Sequence, residues 1–424
     1  MAKEYDFVVF GASGFTGKYV CKRLIKDSEG EEVKIAFAGR SRKKLEDVVN
    51  WLSTDSCLSF PLDKIGLIVA NVDDQQSLLN MCKQSSLVLD CVGPFKFLGE
   101  AVVKACVECG SDYVDVTGEP EFMERMSMKY HEAAKAKGVY IINACGFDCI
   151  PSELGMIFAK KNFNGTLSTV ENYFSMKFGP KGMTGNYGTY ASLVHGISDF
   201  NSLKKLRQAV SRKPLPLCGP KLNVKSIHYD KEQKTYALPF FGADVSVVKR
   251  SQRYFFEECG EIPAQFAMYF ALSFKRIVSI LLFAVILKLF TLTSWGKKLL
   301  LDNPSFFSAG GFTKEGPTEE QMAESGFEFF MKCKGYKKQL DYGEFTESNG
   351  VKNPLDCEMR MKIKGPELGY VLTPIVMVRA AFTVKDERSK LPEGGGVFTP
   401  GPAFRSTDII EKLQKSGVTF QVME

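Results

Sequence analysis

The first 150 residues alternate between short apolar runs and longer amphipathic stretches. The apolar runs predict strands at 7–10, 33–38, 66–70, 87–92, 113–116 and 139–143. The amphipathic stretches between them predict helices at 15–26, from Ser41 to about 52, 75–84, 99–109 and 121–137. Strands that are apolar on both faces and alternate with helices are typical of a parallel sheet covered on each side. The pattern therefore predicts an α/β fold with an N-terminal, doubly wound Rossmann sheet.

The glycine-rich segment after the first predicted strand is the first candidate site. It reads Gly11-Ala-Ser-Gly14-Phe-Thr-Gly17 and opens the first predicted helix. Glycines at this spacing let the backbone approach a pyrophosphate, and the helix N-terminus supplies N–H donors. Because further strands and helices follow in the same order, dinucleotide binding is favoured over a merely structural turn. The predicted cofactor contacts are Gly11, Ser13, Gly14, Phe15, Thr16 and Gly17.

The segment after the second predicted strand bears on which nucleotide is bound. NAD-binding domains place a carboxylate about 20 residues past the glycines, where it holds the ribose 2′-hydroxyl. This chain has Gly39-Arg40-Ser41-Arg42-Lys43-Lys44 there and no carboxylate. An anionic 2′-phosphate suits Arg40 and the helix N-terminus that Ser41 caps, so the sequence predicts NADP(H). The alternative is a solvated basic helix face, which fits Lys43 and Lys44 better than Arg40.

A third candidate contact follows the fourth predicted strand, at Gly93-Pro94-Phe95. Glycine has no side chain and proline has a fixed φ, so a nicotinamide ring could lie flat against this part of the chain. The alternative is that the Gly-Pro pair simply ends the strand. We expect Gly93, Pro94 and Phe95 to contact the cofactor.

Composition and charge narrow the function classes. Apolar residues make up 45% of the chain and charged residues 25%, which is ordinary for a globular protein. The net charge of +6 is spread along the chain without a nucleic-acid-binding motif, so no nucleic-acid partner is expected. The 12 cysteines do not suggest a disulfide framework and the three histidines stand in no metal-binding pattern, so no metal is expected. The N-terminus lacks a signal-peptide pattern, so we expect a cytosolic protein that is not secreted.

Several short motifs lie at the predicted strand ends and near the C-terminus. They are Gly11–Gly17, Gly39-Arg40-Ser41, Gly93-Pro94-Phe95, Thr117-Gly118-Glu119, Gly146-Phe147-Asp148-Cys149-Ile150-Pro151-Ser152 and Gly394-Gly-Gly-Val-Phe-Thr399-Pro400. Together they resemble the saccharopine dehydrogenase-like oxidoreductases of animals, over almost the whole chain. The resemblance implies a Rossmann domain, a second α/β domain and a C-terminal helix and strand that return to the first domain. We expect these domains at 1–150, 151–390 and 391–424.

The resemblance also implies an activity and a location. The family includes bacterial enoyl reductases of lipid-intermediate synthesis, and its animal members are associated with lipid droplets. It therefore implies NADP(H)-dependent hydride transfer to or from a small-molecule or lipid-like substrate, on the cytosolic face of lipid droplets and associated membranes. True saccharopine reductases hold a substrate with several carboxylates through basic and polar residues. No matching arginine cluster is evident here, so the family name does not give the reaction.

No residue of the sequence stands out as the proton donor of such a reaction. Glu119 and Asp148 are the catalytic candidates because they lie at predicted strand ends, although carboxylates there often cap helices or loops. Tyr173 and Lys177 have the YxxxK spacing of short-chain dehydrogenases, but they lie on a predicted strand, so coincidence is favoured. A lipid-surface scaffold that retains the nucleotide-binding fold without turnover is the second function hypothesis.

The stretch at about 262–298 is rich in Phe, Leu and Ile. Its apolar core, 277–287, would form a helix only about 16 Å long, against about 30 Å of bilayer hydrocarbon. Extending the core brings in Lys288 on one side and Lys275 with Arg276 on the other. The pattern therefore predicts a segment, 277–295, that embeds in a membrane surface or lipid monolayer without crossing it. A buried helix of the second domain and a homodimer contact are the alternatives.

Overall fold

The computed structural model describes residues 3–197, 200–210 and 213–423. The chain divides into two compact units. The first contains Met1–Ile150 and Leu368–Ser416, and the second contains Pro151–Glu367 and Gly417–Glu424. Each unit is built around its own seven-stranded sheet.

The strands and helices follow the chain in this order. The strands are β1 Tyr5–Phe10, β2 Ile35–Gly39, β3 Gly66–Val69, β4 Ser85–Asp90, β5 Asp112–Asp115, β6 Tyr140–Ile142, β7 Thr166–Lys177, β8 Gly185–Asn186, β9 Leu217–Cys218, β10 His228–Asp230, β11 Thr235–Pro239, β12 Gln265–Leu272, β13 Phe312–Thr313, β14 Gly326–Tyr336, β15 Gly350–Val351, β16 Cys357–Pro366, β17 Gly396–Phe398 and β18 Thr419–Met423. The α-helices are α1 Phe15–Asp27, α2 Arg42–Ser53, α3 Gln75–Gln84, α4 Phe95–Cys109, α5 Pro120–Ala136, α6 Ile150–Asn162, α7 Tyr187–Ile197, α8 Phe200–Val210, α9 Asp244–Cys259, α10 Phe274–Phe290, α11 Ser294–Asp302, α12 Pro304–Phe307, α13 Glu319–Ala323, α14 Tyr342–Glu347, α15 Thr373–Asp386, α16 Pro400–Phe404 and α17 Ile409–Lys415. Short 3-10 turns lie at Leu62–Lys64 and Arg388–Lys390, and a π-helical turn, Leu368–Leu372, precedes α15.

The first sheet is parallel throughout, with the strand order β3-β2-β1-β4-β5-β6-β17. Parallel neighbours need crossover connections, and helices α1 to α5 each connect one strand of this sheet to the next in the chain. β2 is buried along its whole length, which is why its sequence is apolar without alternation. The predicted α/β fold with a doubly wound Rossmann sheet is confirmed.

Residues 368–416 add a core helix and a strand to the first unit. α15 is buried along almost its whole length, and Phe382 packs on Phe7 of β1 with ring centroids 4.9 Å apart. Arg379 forms an ion pair with Asp27 of α1 at 3.1 Å, and β17 pairs with β6. The main segment of the second unit therefore ends at Glu367, whereas the predicted boundary lay at residue 390, because the intervening apolar helix completes the core of the first unit.

The C-terminal strand lies in the second sheet. β18 pairs antiparallel with β16, and Phe420 packs against Phe158 of α6 with ring centroids 5.7 Å apart. Of the predicted C-terminal return, β17 and α17 belong to the first unit, whereas the strand does not. The prediction failed for this strand because its buried aromatic side chain finds its partner on α6.

The second sheet is mixed, with the strand order β10-β11-β12-β7-β14-β16-β18. Among its described strands, β7 and β12 run parallel and the other neighbours run antiparallel. Tyr173 and Lys177 both lie on β7, where Tyr173 stacks on Tyr269 at 5.3 Å and Lys177 approaches Glu328 at 3.5 Å. Tyr173 and Lys177 therefore lie on a strand, whereas the YxxxK pair of short-chain dehydrogenases lies on a helix.

One helical stretch of the described residues has the length and apolar character of a membrane span. It is Leu368–Asp386, which joins the π-helical turn to α15 and has a mean hydropathy of 1.3. Within its most apolar window, 78% is buried, which is the behaviour of a core helix. α10, which contains the apolar core of the predicted lipid-associating segment, has 17 residues and falls short of that length.

Candidate nucleotide-binding site

The glycine loop after β1 is packed backbone against backbone. Gly11 has a φ of +82°, and a Cβ atom there would lie 2.7 Å from Cγ2 of Val92. A Cβ atom on Gly17 would lie 2.1 Å from the carbonyl oxygen of Gly11, which no side chain could tolerate. Glycine at these two positions lets the chain turn sharply out of β1 and start α1 at Phe15.

The N-terminus of α1 is open to an anion. Gly14 is the residue that precedes the helix, and no side chain caps it. Ser13 and Gly14 are exposed, and the first turn of α1 contains no acidic residue. Uncapped N–H groups together with the helix dipole favour negative charge, so the loop fits a pyrophosphate.

Arg40 lies directly after β2 with an exposed side chain, close to the glycine loop. A Cβ atom on Gly39, which ends β2, would lie 3.8 Å from Oγ of Ser13. Among the residues that the structure describes, Arg40 forms no hydrogen bond or ion pair, whereas Arg42 pairs with Glu46 at 3.2 Å. Arg40 therefore has no ion-pair partner among the described residues, and it follows β2, where the sequence predicts contact with the 2′-phosphate of NADP(H).

Ser41 behaves as predicted for a helix cap, because its Oγ accepts a hydrogen bond from the N–H group of Lys44 at 3.4 Å. The cap fixes where α2 begins, at Arg42, two residues after Arg40. The helix dipole of α2 thus adds positive potential beside the Arg40 guanidinium.

The loop after β4 lies against the glycine loop. The N–H group of Cys91 donates to the carbonyl oxygen of Phe10 at 2.9 Å, and Val92 contacts Gly11 as described above. Gly93 and Pro94 therefore belong to the same edge of the sheet as Gly11. Phe95 is different, because its ring is buried and packs on Phe122 with centroids 5.8 Å apart. Only the backbone of Phe95 is left for a cofactor contact.

Glu119 caps helix α4. Its two carboxylate oxygens accept hydrogen bonds from the N–H groups of Phe95 at 3.1 Å and Lys96 at 2.8 Å. This contact from a neighbouring strand end explains why α4 begins at Phe95, before the predicted start at 99. Glu119 and Asp148 were the two catalytic candidates, and helix capping was the alternative role for each. Glu119 has that capping role.

Asp148 lies in a constrained loop after β6. Its carboxyl group is half-buried, and a Cβ atom on Gly118 would lie 2.9 Å from its Oδ2. The following residue, Cys149, has a φ of 110°, and the N–H group of Phe147 donates to Oγ1 of Thr373 at 3.1 Å. Burial raises the pKa of Asp148 to about 6, so this carboxyl can hold or release a proton near neutral pH.

Sequence reasoning missed a second pair of carboxyl groups below these loops. Asp90 ends β4 and Asp115 ends β5; both are fully buried, and the strand register makes them neighbours. The signal in the sequence is a carboxylate that ends each of two apolar runs, Leu-Val-Leu-Asp90 and Tyr-Val-Asp115.

Among the described residues, no group of three or more His, Cys, Asp or Glu side chains forms a candidate metal site.

The second unit carries a surface that we call the α10 surface. Its exposed apolar side chains are Val278, Leu281, Leu282, Val285, Leu289, Leu292 and Trp295. Leu282 is 61% exposed and Trp295 is 72% exposed, whereas Ile277 and Leu287 on the opposite side are buried. Two buried side chains anchor α10 to its unit, and the rest of its apolar surface faces outward. The segment is therefore not the buried helix that stood as one alternative.

Comparison with known proteins places these features in a family context. The family model described as "Saccharopine dehydrogenase NADP binding domain" matches residues 7–142. A saccharopine dehydrogenase-like oxidoreductase of Homo sapiens is 42% identical over 427 residues, which cover 99% of this chain and 98% of the relative. A probable mitochondrial saccharopine dehydrogenase-like oxidoreductase of Arabidopsis thaliana is 37% identical and covers 99% and 96%. A lipid droplet localized protein of Caenorhabditis elegans is 35% identical and covers 99% and 98%.

Among solved structures, the apo histidine-tagged saccharopine dehydrogenase (L-Glu forming) from Saccharomyces cerevisiae resembles this chain. The match covers 99% of this chain and 100% of that chain, with a TM-score of 0.56 and 12% sequence identity. At that identity the likeness shows the fold alone.

Proposed function

This chain belongs to the saccharopine dehydrogenase-like oxidoreductase family and contains its NADP-binding domain; from that premise we propose that it catalyses NADP(H)-dependent hydride transfer on a lipid-like substrate. The observation that carries the proposal is the open glycine loop beside Arg40, a cation with no partner among the described residues. We further propose that the protein works on the cytosolic face of lipid droplets and associated membranes.

The residues present suit the cofactor. The uncapped N-terminus of α1 would hold the pyrophosphate, and Arg40 with the Ser41-capped start of α2 would hold the 2′-phosphate. Gly93 and Pro94 offer a backbone surface without bulky side chains. When bound, NADP(H) supplies or accepts the hydride.

We propose Asp148 as the group that holds the proton of the reaction. Its half-buried carboxyl lies against Gly118 at the edge of the sheet where ligands of doubly wound folds bind. With a pKa of about 6, it can donate a proton in its acid form and accept one in its basic form. Glu119 is not assigned this role, because both of its oxygens accept hydrogen bonds from the start of α4.

The cofactor proposal is tested by fluorescence titration of the purified protein with NADPH and NADH. We expect NADPH to bind at micromolar concentrations and more tightly than NADH. Arg40→Asp should weaken NADPH binding by at least tenfold and leave NADH binding nearly unchanged, because only NADPH carries the 2′-phosphate. Lys43→Asp, which makes the same charge change on the exposed face of α2, is the matched control. Equal losses in the two variants would contradict the role of Arg40.

Turnover is tested by following NADPH absorbance while the protein is incubated with lipid extracts. Steady oxidation, lost in Asp148→Asn with NADPH affinity retained, supports both the enzyme and the proton role. Oxidation that Asp148→Asn leaves unchanged would contradict the proton role alone. NADPH binding without oxidation across the lipid classes would instead favour the scaffold hypothesis.

The lipid-surface proposal rests on the α10 surface. Lysine side chains at 275, 288 and 298 are exposed around its apolar residues, an arrangement typical of segments that lie in a membrane interface. The name of the Caenorhabditis elegans relative supports lipid droplets as the location, while the Arabidopsis thaliana relative is named for mitochondria. Imaging the full-length fluorescent fusion in lipid-loaded cells tests the location, and a signal confined to mitochondria or diffuse in the cytosol would contradict it.

A further inference from the structure

Among the residues that the structure describes, no cation pairs with the buried carboxyl groups of Asp90 and Asp115. Asp90 accepts hydrogen bonds from the N–H group of Val92 at 2.9 Å and from the Tyr113 hydroxyl at 3.1 Å. Asp115 accepts from the N–H groups of Thr117 at 3.1 Å and Ala144 at 2.8 Å, and from the Asn143 amide at 2.7 Å. Every one of these donors is neutral.

Three cysteine thiol groups are the other titratable groups close to the two carboxyl groups, besides Tyr113. Cys91 follows Asp90, Cys106 approaches Asp90 from α4, and Cys145 lies close to Asp115. Burial raises the pKa of each thiol well above its usual range, so all three are uncharged at neutral pH. Nothing on the described elements around the pair carries a positive charge toward it.

Two neighbouring carboxylates cannot both ionise in such an environment at neutral pH, so the pair holds a proton. The hydrogen bonds indicate which group keeps it. Asp115 accepts two backbone donors and a side-chain amide, whereas Asp90 accepts one backbone donor and the Tyr113 hydroxyl. Tyr113 lies close to both carboxyl groups, and its hydroxyl donates to Asp90. Burial raises the pKa of Asp115 to about 6 and, together with the charge of Asp115, raises that of Asp90 well above its usual range.

We propose that Asp90 keeps its proton at neutral pH while Asp115 is ionised. We further propose that this pair, which shares one proton, positions the loops that follow β4, β5 and β6. The positioning role rests on the proposed function, whereas the protonation state does not. Asp90 and Asp115 are fully buried, and in this proposal they act through backbone groups at the start of each loop.

The hydrogen bonds show how the pair reaches the site. Asp90 fixes Val92, which precedes Gly93 and Pro94. Asp115 fixes Thr117, which precedes Gly118, and it holds Ala144 in a left-handed conformation with a φ of 62°. Ala144 begins the loop that contains Asp148. A single buried carboxylate thus secures the two loops that place Asp148 against Gly118.

Infrared spectroscopy of the cofactor-free protein at pH 7.5 tests the protonation state. We expect the carbonyl band of a protonated carboxylic acid in the native protein and its loss in Asp90→Asn. The variant keeps an uncharged side chain of the same shape, so it should fold as the native protein does. Absence of the band in the native protein, or its persistence in Asp90→Asn, would overturn the assignment.

Titration with NADPH tests the positioning role. Asp90→Asn should bind within about threefold of the native protein, because the amide replaces a neutral acid. Asp115→Asn should bind at least tenfold more weakly, because its NH₂ group faces the NH₂ group of Asn143, which donates to Asp115 in the native protein. Equal affinities in the two variants would overturn the positioning role. If Asp115→Asn does not fold, the pH dependence of NADH affinity in Asp148→Asn decides, because this pairing removes the other carboxyl with a pKa of about 6 and the titrating 2′-phosphate; weakening is expected below pH about 6 as Asp115 is protonated.

The two measurements separate this inference from the proposed function. If the protein shows the infrared band but binds no nucleotide, the protonated pair is supported and the proposed function is contradicted. If the protein binds NADPH but lacks the band, nucleotide binding is supported and the protonated pair is contradicted.

Discussion

Two apolar helices of this protein have opposite surroundings. Leu368–Asp386 passes the test of length and hydropathy for a membrane span, yet 78% of its most apolar window is buried in the first unit. α10 is too short for that test, yet its apolar side chains are largely exposed on the second unit. Apolar length alone would have selected the helix that is buried in the core of the first unit. The packing partner that each helix finds decides between core and surface.

The charged residues of the two helices differ in the same way. Arg379 of α15 pairs at 3.1 Å with Asp27, whose side chain is only 5% exposed and which Arg23 also contacts at 3.0 Å. Lys288 of α10 is exposed, and no ion pair is found for it among the described residues. The core helix has its counter-charge within the protein. Lys288 has no counter-charge among the described residues, so on the proposed lipid surface it would be available to an anionic headgroup.

The largest effect is expected from placing the same charge in both helices. Val378→Asp puts a carboxylate at a fully buried position of α15 and should lower the free energy of unfolding by more than about 4 kcal/mol. Val285→Asp replaces a side chain of α10 that is 53% exposed, and it should change the free energy of unfolding by less than about 0.5 kcal/mol. Urea unfolding measures both. Similar losses in the two variants would mean that α10 is covered by protein in solution, as in the homodimer alternative.

The second effect concerns lipid binding. Replacing Leu281, Leu282 and Val285 by serine should reduce binding to triolein droplets coated with phosphatidylcholine by at least about 100-fold, because each buried aliphatic side chain contributes about 1.5 kcal/mol or more. Flotation of the protein with the droplets measures the loss, and NADPH binding should be unchanged.

A matched triple variant controls for the loss of exposed apolar surface in general. Leu217, Val224 and Ile227 also lie in the second unit and are 38%, 54% and 41% exposed. Their replacement by serine should leave flotation unchanged. If both triple variants float as the native protein does, the α10 surface does not enter lipid.

The nucleotide-binding half of the protein was the more predictable from sequence. Each strand of the Rossmann sheet is a local apolar run, and the glycine loop and the Ser41 cap depend on residues close together in the chain. The boundaries set by distant residues were missed. α4 begins at Phe95 because Glu119 reaches it from the next strand end, and Asp90 meets Asp115 only when two strands pair.

The second unit was less predictable because its order depends on contacts between remote segments. The strand at 419–423 reads as a local β pattern, but only pairing with β16 shows which sheet it joins. The segment 277–295 reads equally well as a core helix and as a lipid-facing one. Its exposed fractions settle that the helix is not covered within this chain, which no local pattern could show.

The smallest expected effect comes from neutralising one cation in each helix. Arg379→Gln should lower the free energy of unfolding by about 1 kcal/mol, because Asp27 retains only Arg23, and it should leave lipid binding unchanged. Lys288→Gln should leave stability unchanged and weaken binding to droplets that contain anionic phospholipid by about 1 kcal/mol, roughly fivefold. The loss should vanish on purely zwitterionic droplets and shrink at high salt, because the contact is electrostatic and screened. A loss on both kinds of droplet would show instead that Lys288 contributes through its aliphatic stem.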